Sequence, residues 1–185
     1  MIKDILDSAE ERMLKAERIL NGEYASLRAG RATPALLDKI MVDYYGTPTP
    51  VNQTATISCP EPRLILIQPW DKKNLGAIEK AILKSDIGIT PANDGQVIRL
   101  NIPQLTEERR KEMVRQCSKK AEEFRVTMRN IRRDINDEIK AMEKAKECSE
   151  DEAKKGLDDA QKLTDKYIKR IDELFALKEK EIMEV

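Results

Sequence analysis

Apolar residues recur at steps of three and four along both ends of this chain. From residue 2 onward, Ile2, Leu6, Ala9, Met13, Ala16, Leu20, Tyr24 and Leu27 form one stripe of an amphipathic helix. Gly30 supplies its stop. A second stripe reads Met113, Cys117, Ala121, Phe124, Met128, Ile131, Ile135, Ile139, Met142. It follows Thr106, a suitable N-cap, with Glu107 and Glu108 in the first turn, where acids favour the helix dipole. The third stripe opens on the capping box Ser149-x-x-Glu152 and runs Ala153, Leu157, Ala160, Leu163, Tyr167, Ile171, Leu174, Leu177, Ile182. Helices of roughly 28, 39 and 35 residues reach about 40 to 60 Å. Apolar steps near 3.5 predict coiled-coil-like packing, and the short link between the second and third helices makes that pair antiparallel.

Between the stripes the pattern changes. All eight prolines lie from Pro34 to Pro103, a region long helices cannot occupy because proline lacks the backbone donor. Residues 39–45 read as a strand ended by a turn at 46–50, residues 51–58 and 64–67 as two more strands, and 74–85 as a short helix. Asn93-Asp94-Gly95 is a turn leading into a strand at 97–100. Trp70 is expected to anchor this unit's core. For the adjacent Tyr44 and Tyr45, core packing is expected over base stacking. The first helix needs the same core as the other two, so the middle must be an insertion entered and left by two chain crossings. The predicted fold is α+β: a long three-helix antiparallel bundle (1–30 and 105–185) with a small mixed α/β domain (31–104) inserted, and a potential hinge at 29–31 and 104–106. Gly30 is expected to take a backbone conformation other residues resist.

Composition then removes whole classes of chemistry. The chain of 185 residues has no histidine, so imidazole-activated nucleophiles, His proton shuttles and His-ligated metals are excluded. Three cysteines (Cys59, Cys117, Cys148) without CxxC spacing suggest neither a disulfide framework nor a zinc site. There is no GxGxxG and no GxxxxGK[ST] loop, which argues against an intrinsic nucleotidase. Nowhere do ~18 apolar residues run together, and the acidic N-terminal segment does not read as a targeting peptide. The expectation is a cytoplasmic, monomeric protein that is no enzyme and needs no cofactor or metal.

Charge is where a function shows. Lys+Arg and Asp+Glu balance at 34 each, but from Arg109 to Arg133 ten bases face three acids, a local surplus of seven. At ~100° per residue Arg125, Arg129 and Arg132 share one flank beside the apolar stripe. Three arginines so spaced repel one another and suit bidentate contact with phosphate. Two readings stay open on this pattern: a solvated face answered by acids of neighbouring helices, or an RNA footprint. A client-gripping helical chaperone, with an apolar patch at the bundle tip around Cys148 and the N-terminus, is the alternative from another class. A hydrolase built on paired carboxylates would need a pocket that three packed helices do not readily enclose.

Several ungapped stretches are similar to the bacterial ribosome recycling factor family. They are Arg28-Ala29-Gly30-Arg31-Ala32-Thr33-Pro34, Val42-Asp43-Tyr44-Tyr45-Gly46-Thr47-Pro48-Thr49-Pro50, Asn52-Gln53-Thr54-Ala55-Thr56-Ile57 and Ile78-Glu79-Lys80-Ala81-Ile82. Ser85-Asp86-Ile87-Gly88, Leu105-Thr106-Glu107-Glu108-Arg109-Arg110-Lys111, Arg129-Asn130-Ile131-Arg132-Arg133-Asp134 and Gln161-Lys162-Leu163-Thr164-Asp165 extend the resemblance from end to end. Ile87-Gly88-Ile89-Thr90-Pro91 departs from the more usual Leu-Gly-Leu-Asn-Pro. The resemblance implies an L-shaped protein of transfer-RNA dimensions that binds large-subunit rRNA after termination. Elongation factor G, hydrolysing GTP, would then drive its small domain and split the ribosome. It also implies that Arg129 and Arg132 contact rRNA, with Arg28, Arg31, Arg110 and Arg133 as helpers beside Arg125, and that the hinge maps to Gly30, Arg31, Leu105 and Thr106. With the family in view, the RNA footprint becomes the preferred reading of the arginine flank.

Overall fold

The computed structural model describes residues 1–27 and 30–184. Arg28, position 29 of the expected hinge and the last residue of the expected bundle, Val185, lie outside the described residues. In chain order the elements are α1 (Ile2–Ser26), β1 (Met41–Tyr44), β2 (Thr47–Pro50), β3 (Ala55–Glu61), β4 (Leu64–Pro69), α2 (Leu75–Lys84), β5 (Ala92–Asn93), β6 (Ile98–Asn101), α3 (Glu107–Lys144) and α4 (Glu150–Met183). The fold is α+β. The chain divides into two compact units, residues 1–28 with 107–184, and residues 29–106.

In the first unit α1, α3 and α4 pack pairwise. The contacts set their directions. Arg12 meets Asp134 and Tyr24 meets Cys117, so α1 runs antiparallel to α3. Glu10 meets Lys166 and Glu17 meets Arg170, so α1 runs parallel to α4. α3 ends in a Schellman turn, with the Glu147 N–H donating to the Met142 carbonyl and the Lys146 N–H to that of Glu143. Lys146 takes the left-handed place usually given to glycine, at φ +58°. Three residues on, the Ser149 hydroxyl accepts the Glu152 N–H at 3.1 Å and starts α4.

The α1 and α3 stripes are buried nearly as the periodicity predicts: Ala9, Met13, Ala16, Leu20 and Tyr24 on α1, and every residue of the α3 series except the half-buried Phe124. α1 ends at Ser26, earlier than a Gly30 stop would place it, and Leu27 is already extended. On α4 the buried line is Ala153, Gly156, Ala160, Thr164, Tyr167, Ile171, Lys178 and Ile182. Leu157 and Leu163 sit half-buried beside it, and Leu177 is 67% exposed. Geometry overrides residue type here, because a straight helix returns to the core every 3.6 residues whatever side chain is present. Gly156 fits because the helices are too close for more: a Cβ there would lie 2.9 Å from Ile2 Cγ2 and 3.1 Å from Ile139 Cδ1. Thr164 is tolerated because its hydroxyl donates back to the Ala160 carbonyl at 2.8 Å.

The second unit holds a four-stranded antiparallel sheet in the order β3-β4-β6-β5 and a separate hairpin, β1-β2. Its core gathers Ile65, Ile67, Ile98 and Leu100 from the sheet with Leu75, Ile78 and Ile82 from α2 and Leu37, Val42 and Val51. The expected turn at 46–50 is in fact half a hairpin. Tyr45 (φ +51°) and Gly46 (φ +83°) make the two-residue turn, the Asp43 carboxylate accepts the Gly46 N–H, and Thr47–Pro50 pairs back onto β1. Pro48 and Pro50 survive in β2 because they oppose Asp43 and Met41, positions that alternate with the hydrogen-bonded ones, in a strand with a free edge. Val51–Gln53, expected as strand, is a short 3₁₀ turn before β3.

Trp70 does not anchor the core. Ile65, Ile67 and Pro69 face inward, so two-residue alternation turns Trp70 outward, 63% exposed, with its indole N–H donated to the Thr56 hydroxyl at 2.9 Å. Tyr45, 69% exposed at the hairpin tip, is likewise not a packing residue. Its hydroxyl donates to the Asp71 carboxylate, and its ring meets that of Tyr44 edge to face at 4.7 Å.

Candidate nucleic-acid interface

α3 buries one stripe, and its two flanks meet different helices. On the α1 side the charges are answered in pairs: Asp134 accepts from Arg12 at 3.1 Å and Lys120 donates to Glu23 at 3.1 Å. On the α4 side lie Arg125, Arg129 and Arg132, brought to one flank by their i, i+4, i+7 spacing.

These three differ in what they touch. Arg125 is partly enclosed, its side chain 22% exposed, and it is held by two carboxylates, Asp172 of α4 at 2.7 Å and Glu122 one turn back at 3.1 Å. Burial pulls its basicity down, but the hydrogen bonds it donates to Asp172 and Glu122 outweigh that and raise it above the ordinary guanidinium value. Glu122 also accepts from Arg129 at 3.2 Å, and the bonds from Arg125 and then Arg129 hold its carboxyl below the usual range. Arg132 instead donates to a neutral group, the Gln161 side-chain carbonyl of α4, at 2.9 Å. The Gln161 amide is turned that way by donating its own N–H to Asp165 at 2.9 Å. Arg133 is exposed, with no hydrogen bond or ion pair to another described residue.

The flank is therefore graded. Arg125 is neutralised by structure, Arg129 shares one acid, and Arg132 and Arg133 make no ion pair with another described residue. Such a row can position a polyanion at its Arg132 end through charge-assisted, bidentate bonds. Glu122 was visible in the sequence at helical spacing from Arg125. Gln161 and Asp172 were not identifiable as partners, because the stagger of α4 against α3 is a property of packing.

Of the remaining sequence-predicted residues, Arg110 is half-buried at the start of α3, its Nε buried without a hydrogen-bond partner. Arg31 is exposed in the small unit. Arg28 lies outside the described residues. Among the expected hinge residues Gly30 is buried at φ +78°, a region that favours glycine. Leu105 is half-buried, and Thr106 immediately precedes α3.

At the far end of the bundle a cleft of about 660 Å³ opens among Met1, Ile2, Leu6, Met142 and Cys148, with Lys155 on its rim beside acids such as Glu147 and Glu152. No group of three or more His, Cys, Asp or Glu side chains could hold a metal ion among the described residues. No helix among them is long and apolar enough to cross a membrane.

Comparison with known proteins identifies the family. The family profile described as ribosome recycling factor matches residues 20–183. The ribosome-recycling factor of Carboxydothermus hydrogenoformans is 65% identical over 185 residues, and that of Syntrophomonas wolfei 64%, each match covering 100% of both chains. A solution structure of the ribosome recycling factor covers 100% of this chain and 98% of its own, with 47% identity and a TM-score of 0.75. A chain from models of the T. thermophilus ribosome recycling factor and the E. coli elongation factor G bound to the E. coli post-termination complex matches at 46% identity and a TM-score of 0.61, covering 98% of each. With the profile spanning most of the chain and full-length relatives at such identity, the chain belongs to the ribosome recycling factor family.

Proposed function

We propose that this protein recycles ribosomes after termination, binding large-subunit rRNA through the α4-facing flank of α3 and separating the subunits together with elongation factor G and GTP. The partner hydrolyses the nucleotide. The chain itself contributes binding and movement rather than chemistry, acts as a monomer without cofactor, and works in the cytoplasm. Arg132 and Arg133 hold the phosphates, Arg129 assists, Arg125 sets the flank, and Arg110, Arg28 and Arg31 extend the basic surface. The small unit turns about Gly30, Arg31, Leu105 and Thr106.

The observation that carries this reading is the Arg132–Gln161 pair. A structural arginine on a helix flank ordinarily finds a carboxylate, as Arg125 does, whereas Arg132 is held in place by a neutral acceptor that leaves its charge for a ligand. Co-sedimentation with large ribosomal subunits over a salt series tests it. Binding is expected to fall linearly in log–log form as salt rises, as counterions return to the phosphates. Salt-independent binding would instead favour the chaperone reading, to which the cleft around Cys148 lends support.

A further inference from the structure

Lys178 is 6% exposed on α4, an unusual place for an ammonium group, since a buried charge must be hydrogen-bonded to persist. It has two partners. Its Nζ donates to the Leu27 carbonyl at 3.0 Å and pairs with Glu181 at 3.3 Å. Leu27 is the C-cap of α1, a helix whose last turn contains no basic residue of its own. The negative end of α1 and one of its unpaired carbonyls are thus answered by a cation reaching in from α4. The same last turn is tied to α3, because the Tyr24 hydroxyl donates to the Cys117 carbonyl at 2.6 Å. Burial, and then the nearby Cys117 thiol, push that phenol up to about 12, so it remains a donor throughout the physiological range. No other turn of α1 is held by buried or part-buried hydrogen bonds to both neighbouring helices among the described residues.

We infer that Lys178 is a positioning residue that anchors the end of α1, where the chain leaves the bundle for the small unit. A free helix end frays, and a frayed turn at this place would lengthen the first crossing and loosen whatever movement passes through it. The buried ammonium fixes the C-cap of α1 against α4, so that rotation of the small unit starts beyond Leu27 and not within the helix. The link to subunit splitting rests on the function proposed above; the anchor itself does not.

Hydrogen exchange on the full-length chain tests the anchor, with Lys178→Met as the principal variant and Lys178→Arg as the control that keeps a cationic donor. In K178M the amides of residues 23–27 are expected to exchange about tenfold faster or more, while those of Ile131–Ile139 stay as protected as before. K178R is expected to keep most of the protection. Unchanged exchange at 23–27, or acceleration spread evenly over the bundle, would overturn the anchor. So would equal loss in K178R, the readout that remains should K178M fail to fold. For the functional link, K178M is expected to bind large subunits within about twofold of the parent yet split ribosomes several-fold more slowly, a loss of movement and not of binding. Normal splitting by a K178M protein with a loosened α1 end would remove Lys178 from the mechanism and leave the recycling function standing. Failure of the parent protein to split ribosomes would overturn that link together with the recycling reading, and the exchange result would still decide the anchor.

Discussion

Arg125 and Arg132 lie two helical turns apart on the same flank of α3 and face the same neighbour, yet they are in opposite electrostatic states. Arg125 is enclosed between Asp172 and Glu122, while Arg132 rests on the neutral amide of Gln161. Residue type and spacing alone would give them equal parts in binding. The second helix makes the difference, since what a guanidinium offers a polyanion depends on which charges are already beside it. The first serves to hold α3 against α4, and the second is left charged.

The comparison can be broken most forcefully at Arg132. Arg132→Ala is expected to weaken large-subunit binding by about ten- to a hundredfold with little change in melting temperature, and to lower the salt slope by about one. Unaltered co-sedimentation would dissociate this residue from the interface. Next comes Gln161→Glu, which sets a carboxylate against Arg132 and makes it resemble Arg125. Binding should fall by about tenfold or less without loss of stability, as the new pair competes with phosphate. Should Gln161→Glu bind as well as the parent, charge compensation is not what separates the two arginines.

Arg125→Ala is expected to act in the opposite sense. It should cost about 1 kcal/mol in urea unfolding, because it leaves Asp172 and Glu122 without their shared cation, and change binding by no more than about threefold. The smallest effect belongs to Glu122→Gln, which releases Arg129. Affinity at low salt should rise by about twofold and the gain should vanish at high salt. Glu122 also carries a pH signature. Its folded carboxyl titrates below its unfolded value, so its contribution is present above that unfolded value and is lost as pH falls through the folded one, on the acid side of the ordinary glutamate range. Carbon-detected NMR titration should find a depressed midpoint for Glu122 that moves only part of the way back toward the ordinary glutamate range in R125A, because Arg129 still donates to it.

Much of the fold was legible because three long stripes repeat a single period. The Met113–Met142 series reads as one line, buried except for the half-buried Phe124, since each residue is both apolar and correctly spaced. α4 was harder to read for a reason Leu177 and Lys178 make plain. Hydrophobicity selects Leu177, but the regular turn of the helix brings Lys178 inward, and a carbonyl from another helix makes its burial tolerable. In the small unit, Trp70 misleads in the same way: size suggests a core residue, and strand alternation places it in solvent. Thr47–Pro50 reads as loop by its prolines and pairs as strand because its prolines fall where no ladder bond is needed.

By itself the sequence determined the helix periods, the confinement of every proline to one unit, the absence of imidazole chemistry and the basic surplus on α3, since each is a property of residue order alone. It also carried the motifs by which family membership is recognised. Only the tertiary structure decided which arginine stays charged, why Gly156 and Lys178 occupy core positions, and what holds the end of α1. Each of those depends on the stagger of one helix against another, and stagger is set by packing between residues far apart in sequence, 29 positions for Arg132 and Gln161 and 151 for Lys178 and Leu27.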